Sequence, residues 1–141
     1  MKNYLFKLGG KAKKASIEIV KSKKKDNVLR DYCNLILKNQ LKIISENKKD
    51  LEKAKKQKLK ENLIKRLSID KKKLLQIINS IKMIVKLKDP VNITLNKWKR
   101  PSGLKIKKVT TSIGVIAVIY ESRPNVTPDV ASLCFKSGNP V

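Results

Sequence analysis

The sequence predicts an α/β chain in which helices fill roughly the first two-thirds and strands begin only after Pro90. Three observations carry that reading. As far as Leu87, apolar residues recur mostly at three- and four-residue steps, the period of a helix with one buried stripe. Past Pro90 the pattern changes to short runs on either side of Pro101-Ser102-Gly103, a turn signature in which glycine supplies a positive φ. Residues 113–120 then form an apolar run of strand length, with Val115, Ile116, Val118 and Ile119, followed by a polar loop and a short helix.

Taken in order, residues 27–47 predict one helix, with Val28, Leu35, Ile36, Leu41, Ile43 and Ile44 on its buried stripe. Residues 50–67 are more polar, and Leu51, Ala54, Leu59, Leu63, Ile64 and Leu67 are their apolar contacts. Ser68 or Asp70 is placed to cap the next helix, because a short polar side chain there accepts an orphan backbone N–H. Residues 71–87 carry the strongest helical period, through Leu74, Leu75, Ile77, Ile78, Ile81, Ile84 and Val85. Asp89-Pro90 ends that helix, since proline disfavours helix at the residue before it.

Residues 92–100 and 104–111 predict an antiparallel hairpin. In the second run Leu104, Ile106 and Val109 alternate with Lys105, Lys107 and Lys108, with a slip near the end, which implies one exposed face. Residues 113–120 read as a strand buried on both faces, as in a parallel sheet. Thr127 is the expected N-cap of the last helix, with Pro128 at its first position and Gly138 closing it. Strand, loop and helix are the first two parts of a βαβ unit, and its third part, a parallel strand, would begin near Asn139-Pro140-Val141. The unit is expected to be cut there. The parts divide as 1–90 (helical), 91–112 (hairpin) and 113–141 (start of the βα unit).

Composition narrows the function classes. The chain has 141 residues, 40% of them apolar, enough for one domain with a core. No run approaches the roughly 18 apolar residues of a membrane span, and the basic stretch 1–14 lacks the apolar segment of a secretory signal. Cys33 and Cys134 are far apart and there is no histidine, which argues against a metal site and fits a reducing, cytoplasmic setting. The net charge of +24 invites a nucleic-acid reading. Yet only four of the 35 basic residues are arginine, and aromatics amount to 4%, so bidentate phosphate contacts and stacking platforms are both scarce.

One stretch carries a specific likeness. Lys88-Asp89-Pro90-Val91, Trp98-Lys99-Arg100-Pro101-Ser102-Gly103-Leu104, and above all the run from Ile113 through Tyr120-Glu121-Ser122-Arg123-Pro124-Asn125-Val126-Thr127 to Leu133-Cys134-Phe135-Lys136-Ser137-Gly138-Asn139 resemble the γ-glutamyl phosphate reductases, also called glutamate-5-semialdehyde dehydrogenases. The helical part is similar more loosely, and the likeness covers only the leading part of that family's chain. It implies an aldehyde-dehydrogenase-type fold whose Rossmann-like cofactor domain is begun and truncated here. It implies NADPH-dependent reduction of γ-glutamyl phosphate to glutamate-5-semialdehyde and phosphate, a step of proline biosynthesis. Asn125 stands where the superfamily places an oxyanion-stabilising amide. Ser122, Arg123 and Pro124 of the same loop would border the cofactor (NADPH/NADP) or the substrate, and Arg123 could hold a carboxylate or phosphate. Residues 91–112 resemble an oligomerisation arm, implying a homo-oligomer. The family's nucleophilic cysteine would lie in a later domain, with Cys33 and Cys134 as buried structural thiols, so the chain alone is expected to be inactive. A basic nucleic-acid-binding module and a non-catalytic interaction fragment are the alternatives.

Overall fold

The computed structural model describes residues 2–141; Met1, at the head of the basic stretch 1–14, lies outside the described residues. Its elements run α1 (Lys2–Lys21), α2 (Lys25–Lys38), α3 (Gln40–Lys56), α4 (Glu61–Leu67), α5 (Lys71–Lys86), β1 (Thr94–Lys99), β2 (Lys105–Val109) and α6 (Val126–Lys136).

The core is built on α5. Its Leu74, Ile77, Ile78, Ile81, Ile84 and Val85 are all buried, the stripe that its period predicts, while Leu75 turns out to solvent. Asp70 caps it: Oδ1 accepts from the Lys73 backbone N–H at 2.7 Å. Opposite lies α2, which contributes Leu29, Cys33 and Ile36, and α6 packs on the same pair of helices, with Phe135 against the cluster.

Two expectations about the helices are corrected here. Residues 27–47 are not one helix. The chain breaks at Asn39, whose backbone leaves helical geometry (φ −101°, ψ 13°) while its side-chain amide donates to the Leu35 carbonyl at 2.8 Å. A short amide that bonds the preceding turn offers the backbone an alternative to helix. The buried stripe of α2 is also not the expected one: Val28 and Leu35 are exposed, and Leu29–Cys33–Ile36 faces the core. The helix α1 lies within the part expected to be helical, 1–90, but no bounds were predicted for it. Its inner face is small, through Ala12, Ala15, Ile19 and Val20, and the paired Gly9-Gly10 masks its period.

The α3–α4–α5 corner is held by one buried side chain. The Asn47 amide donates to the Leu67 carbonyl at 2.9 Å, and its Oδ1 accepts from the Ile69 N–H at 2.6 Å. Both polar ends are therefore satisfied where water does not reach.

The predicted hairpin forms, antiparallel, with Trp98 opposite Ile106 and an irregularity between Thr94 and Asn96. It does not cover the core. All of β1 is exposed and Ile106 alone of β2 is half-buried, so both faces are open rather than one.

Residues 113–120 form no strand, contrary to the expectation of one buried on both faces. Side chains at 112–117 alternate half-buried and exposed, the period of a strand, but among the described residues the only backbone bond joining this run to another segment is Ile116 N–H to the Pro140 carbonyl, 2.8 Å. The physical reason is that a parallel strand needs a neighbour on its edge, and no described segment lies there. Ile113 and Ile119 are 86% and 100% exposed. The start of the run is fastened instead by Asn139, a buried residue. Its Oδ1 accepts from the N–H groups of Ile113 (2.7 Å) and Gly114 (3.0 Å), and its amide donates to the Ser137 carbonyl and hydroxyl.

The last helix also starts earlier than Thr127. Asn125 is its cap and Pro128 its third residue, still within the first turn, where a missing N–H removes nothing that the helix could use. Its end is as predicted. Gly138 takes φ +76°, the Asn139 N–H reaches the Cys134 carbonyl at 2.8 Å, and the Gly138 N–H reaches that of Phe135 at 3.1 Å.

Two buried lysines tie α6 to the rest. Lys136 Nζ bonds Asp26 and, at 3.1 Å, the Val85 carbonyl. Lys25 Nζ bonds Asp89 at 2.6 Å and the Lys136 carbonyl at 3.2 Å. Both ammonium groups are nearly inaccessible, and each finds a carboxylate and a carbonyl.

Candidate functional site

The polar loop between residue 120 and α6 is a tight structure. Ser122 sits at φ +50°, the Val126 N–H closes onto the Arg123 carbonyl at 3.0 Å, and the Tyr120 and Thr127 hydroxyls are hydrogen-bonded. This turn delivers Pro124 and Asn125 to the head of α6 and leaves Arg123 exposed, its guanidinium free of any hydrogen bond among the described residues. Of the four residues singled out from the sequence, Pro124 and Asn125 line a common cleft; Ser122 and Arg123 do not.

That cleft, about 250 Å³, lies between the α4–α5 corner and the first turn of α6. Besides Pro124 and Asn125 it is lined by Arg66, Ser68, Lys73 and Asp129, among others. Lys73 is held in place by the carbonyls of Lys65 (3.0 Å) and Ser68 (2.6 Å). The Asn125 amide nitrogen approaches Asp129 Oδ2 at 3.5 Å, the limit of a hydrogen bond, while Asp129 Oδ1 is enclosed with no partner among the described residues. Arg66 makes neither an ion pair nor a hydrogen bond through its side chain among the described residues. Sequence reasoning did not place Arg66, Ser68, Lys73 or Asp129 at this cleft. The α4–α5 residues stand more than 50 positions from Asn125, and only the packing of α5 on α6 brings them together.

A larger groove of about 490 Å³ runs between α1, α2 and α6, but it is mostly apolar (Ala12, Ile19, Val28, Phe135) and offers packing rather than chemistry. The two thiols, Cys33 and Cys134, are free and buried, and burial pushes both up from the usual thiol range; at Cys33 the Lys82 charge opposes this in part. Neither is a thiolate poised for attack. No described helix is long and apolar enough to cross a membrane.

No protein-family model matches the chain. Its fold is nevertheless similar to that of one class of solved protein, reductases that are named for an acyl phosphate. Within that class the match falls on γ-glutamyl phosphate reductases. The Thermotoga maritima enzyme superposes with a TM-score of 0.92 at 33% identity, over 96% of this chain and 33% of that one. The Saccharomyces cerevisiae enzyme superposes with a TM-score of 0.89 at 32% identity, over 94% and 34%. Among curated relatives, the γ-glutamyl phosphate reductase of Nitratiruptor sp. is 46% identical over 131 residues, and that of Clostridium tetani is 42% identical over 143. The chain spans about a third of the length of these relatives (32% and 33%). Over essentially its whole length it is thus similar to γ-glutamyl phosphate reductases, as the run through Tyr120–Thr127 implied.

Proposed function

We propose that this chain supplies the leading third of an NADPH-dependent γ-glutamyl phosphate reductase, and that its contribution to the chemistry is Asn125. The observation that supports this most directly is the placement of Asn125: at the head of α6, on the rim of a small charged cleft, in a chain that superposes on two such reductases. An acyl phosphate attacked by a thiolate passes through a tetrahedral oxyanion, and a fixed amide donor aimed at that oxygen lowers the barrier. Phosphate then leaves, and hydride converts the resulting thioester to the aldehyde. The nucleophile would come from outside this chain, since Cys33 and Cys134 are both buried and hard to ionise. The isolated chain is accordingly inactive in this reading, and a reducing cytoplasm suits its two free thiols.

For the nicotinamide cofactor the residues present fit only an edge. Ser122, Arg123 and Pro124 would border it, but the turn into α6 carries Ser-Arg-Pro-Asn where a pyrophosphate cradle needs glycines for close backbone approach. The cofactor, when bound, supplies the hydride; this chain's part is to hold the acyl group and its oxyanion.

The test is a chimera in which this chain replaces the matching third of the Thermotoga maritima enzyme. Phosphate-dependent reduction of NADP⁺ by glutamate-5-semialdehyde should be measurable, and Asn125→Ala should lower kcat roughly 100-fold. A chimera that folds yet shows no loss on Asn125→Ala would remove Asn125 from the mechanism.

The arm is proposed to pair with a second copy. Leu95, Trp98, Leu104 and Val109 are exposed on a hairpin that touches little else, and a two-stranded ribbon is marginal by itself. Sedimentation of the chimera should show an oligomer that Trp98→Lys with Leu95→Lys dissociates; a monomer before mutation would refute the role.

A further inference from the structure

One face of the hairpin is a block of lysine, and the reaction proposed above makes no use of it. The register sets Lys97 opposite Lys107 and Lys99 opposite Lys105, two successive like-charged pairs on the same side of the ribbon. Directly opposed side chains stand about 5 Å apart at Cβ, and the two pairs are about 7 Å apart along the strands. Like charges so placed destabilise a sheet, here a two-stranded ribbon that is marginal by itself. Nothing in the protein offsets this. All four lysines are exposed, and none is in an ion pair among the described residues. Residues 90–120 contain neither Asp nor Glu. A second copy brings no remedy, since each chain carries only 11 acidic residues against 35 basic ones.

The chemistry of the face selects its partner. Four ammonium groups at regular spacing, with no arginine among them, suit phosphates met as point charges. The lysine pairs are adjacent, with no apolar side chain between them to enter a bilayer. Trp98 and Ile106 lie on the opposite face, so bases have no ring to stack on beside the lysines. A membrane surface and a single-strand platform are both poor fits. Shape narrows the choice further. Two strands about 4.8 Å apart enter the major groove of B-form DNA, about 12 Å wide, whereas that of an RNA duplex is deep and narrow.

We propose that this face docks on duplex DNA, with Lys97, Lys99, Lys105 and Lys107 neutralising phosphates along the groove. Contact is to the backbone, so it is independent of base sequence. The Trp98 side stays free for the second copy proposed above, and the docking does not depend on the reaction.

The test titrates the 141-residue chain with a mixed-sequence DNA duplex of about 20 base pairs, read by fluorescence anisotropy. Four neutralised phosphates contribute a slope of about −3.6 to log K against log salt, which is a loss of about 150-fold between about 50 and 200 mM. Replacing all four lysines (K97Q, K99Q, K105Q and K107Q) should remove that contribution and weaken binding at least tenfold at about 100 mM salt. A charge-matched control, K48Q, K53Q, K55Q and K56Q on exposed positions of α3, removes the same net charge and should change affinity by less than about threefold. Equal losses in the two variants would show that net charge alone binds, and would overturn the proposal. So would an RNA duplex, a single strand or phosphatidylglycerol vesicles bound as tightly as the DNA duplex. On the unmutated chain, an amide-resolved NMR titration with the DNA should shift residues 97, 99, 105 and 107 and spare α3. Shifts spread evenly over the helices would place the contact elsewhere and overturn the assignment.

Discussion

Lys136→Ala is expected to lower the unfolding free energy by about 3 kcal/mol, the lower end of what removing one partner of a buried ion pair costs. The low end applies because Asp26 and Asp89 are each about half-exposed, so water takes over part of their solvation once the lysine is gone. What water does not replace is the bond to the Val85 carbonyl at the end of α5, which is left buried and single. Equilibrium urea unfolding at pH 7 measures the loss, and a change below about 0.5 kcal/mol would show the network to be no better than a surface pair. The same network sets an acid limb. Burial alone would raise the Asp89 pKa, but the hydrogen bonds from Lys25 and the Val91 N–H, with the charges of Lys25 and Lys136, hold it below the usual carboxylate range. A carboxyl depressed in the folded state contributes stability that is present above its unfolded pKa, about 4, and is lost as pH falls through the lower folded value. Stability should therefore drop between pH 5 and pH 2, and less steeply in Lys136→Ala, which lacks one of the cations responsible.

Ile81→Ala should cost about 4 kcal/mol. Ile81 is 0% exposed and sits midway along α5, in the cluster that α2 and α6 share. Truncation there removes transfer free energy and also leaves a cavity that three packed helices cannot close. Leu75, six residues earlier on the same helix, is 45% exposed, and its replacement by alanine should change stability by less than about 0.5 kcal/mol. The contrast between the two, read as a shift in urea midpoint at constant slope, tests whether α5 is the centre of the fold. Equal shifts would place the core elsewhere.

The parts of this fold that were legible in sequence are those whose stability is local or strongly periodic. The stripe of α5, the Asp70 cap, the hairpin turn at Pro101-Ser102-Gly103 and the stop at Gly138 each follow from residues within a few positions of one another. The errors arise where a distant partner decides. Val28 and Leu35 are apolar yet face out, because α5 and α6 meet the Leu29–Cys33–Ile36 side, and nothing in residues 27–47 says which side will be met. Asn39 interrupts a pattern that continues on both sides of it, so hydropathy alone runs through the break. Residues 113–120 are apolar enough for a central strand, but a strand is a relation between two segments and the second is not among those described. At the site the same division holds. Pro124 and Asn125 lie in one motif and were visible together, whereas Arg66, Lys73 and Asp129 become neighbours only when α5 docks on α6.

The fastening of residues 113 and 114 by Asn139 bears on how the molecule ages. An asparagine is normally the residue most prone to spontaneous deamidation, in which the following backbone nitrogen attacks the side-chain amide and closes a succinimide ring. After Asn139 comes Pro140, whose nitrogen carries no hydrogen and cannot close that ring. The exchange would be damaging here, because the amide group that donates to the Ser137 carbonyl would become an oxygen facing another oxygen. The residue after this asparagine thus protects the chemical identity of the bond on which the entry of the 113–120 segment depends.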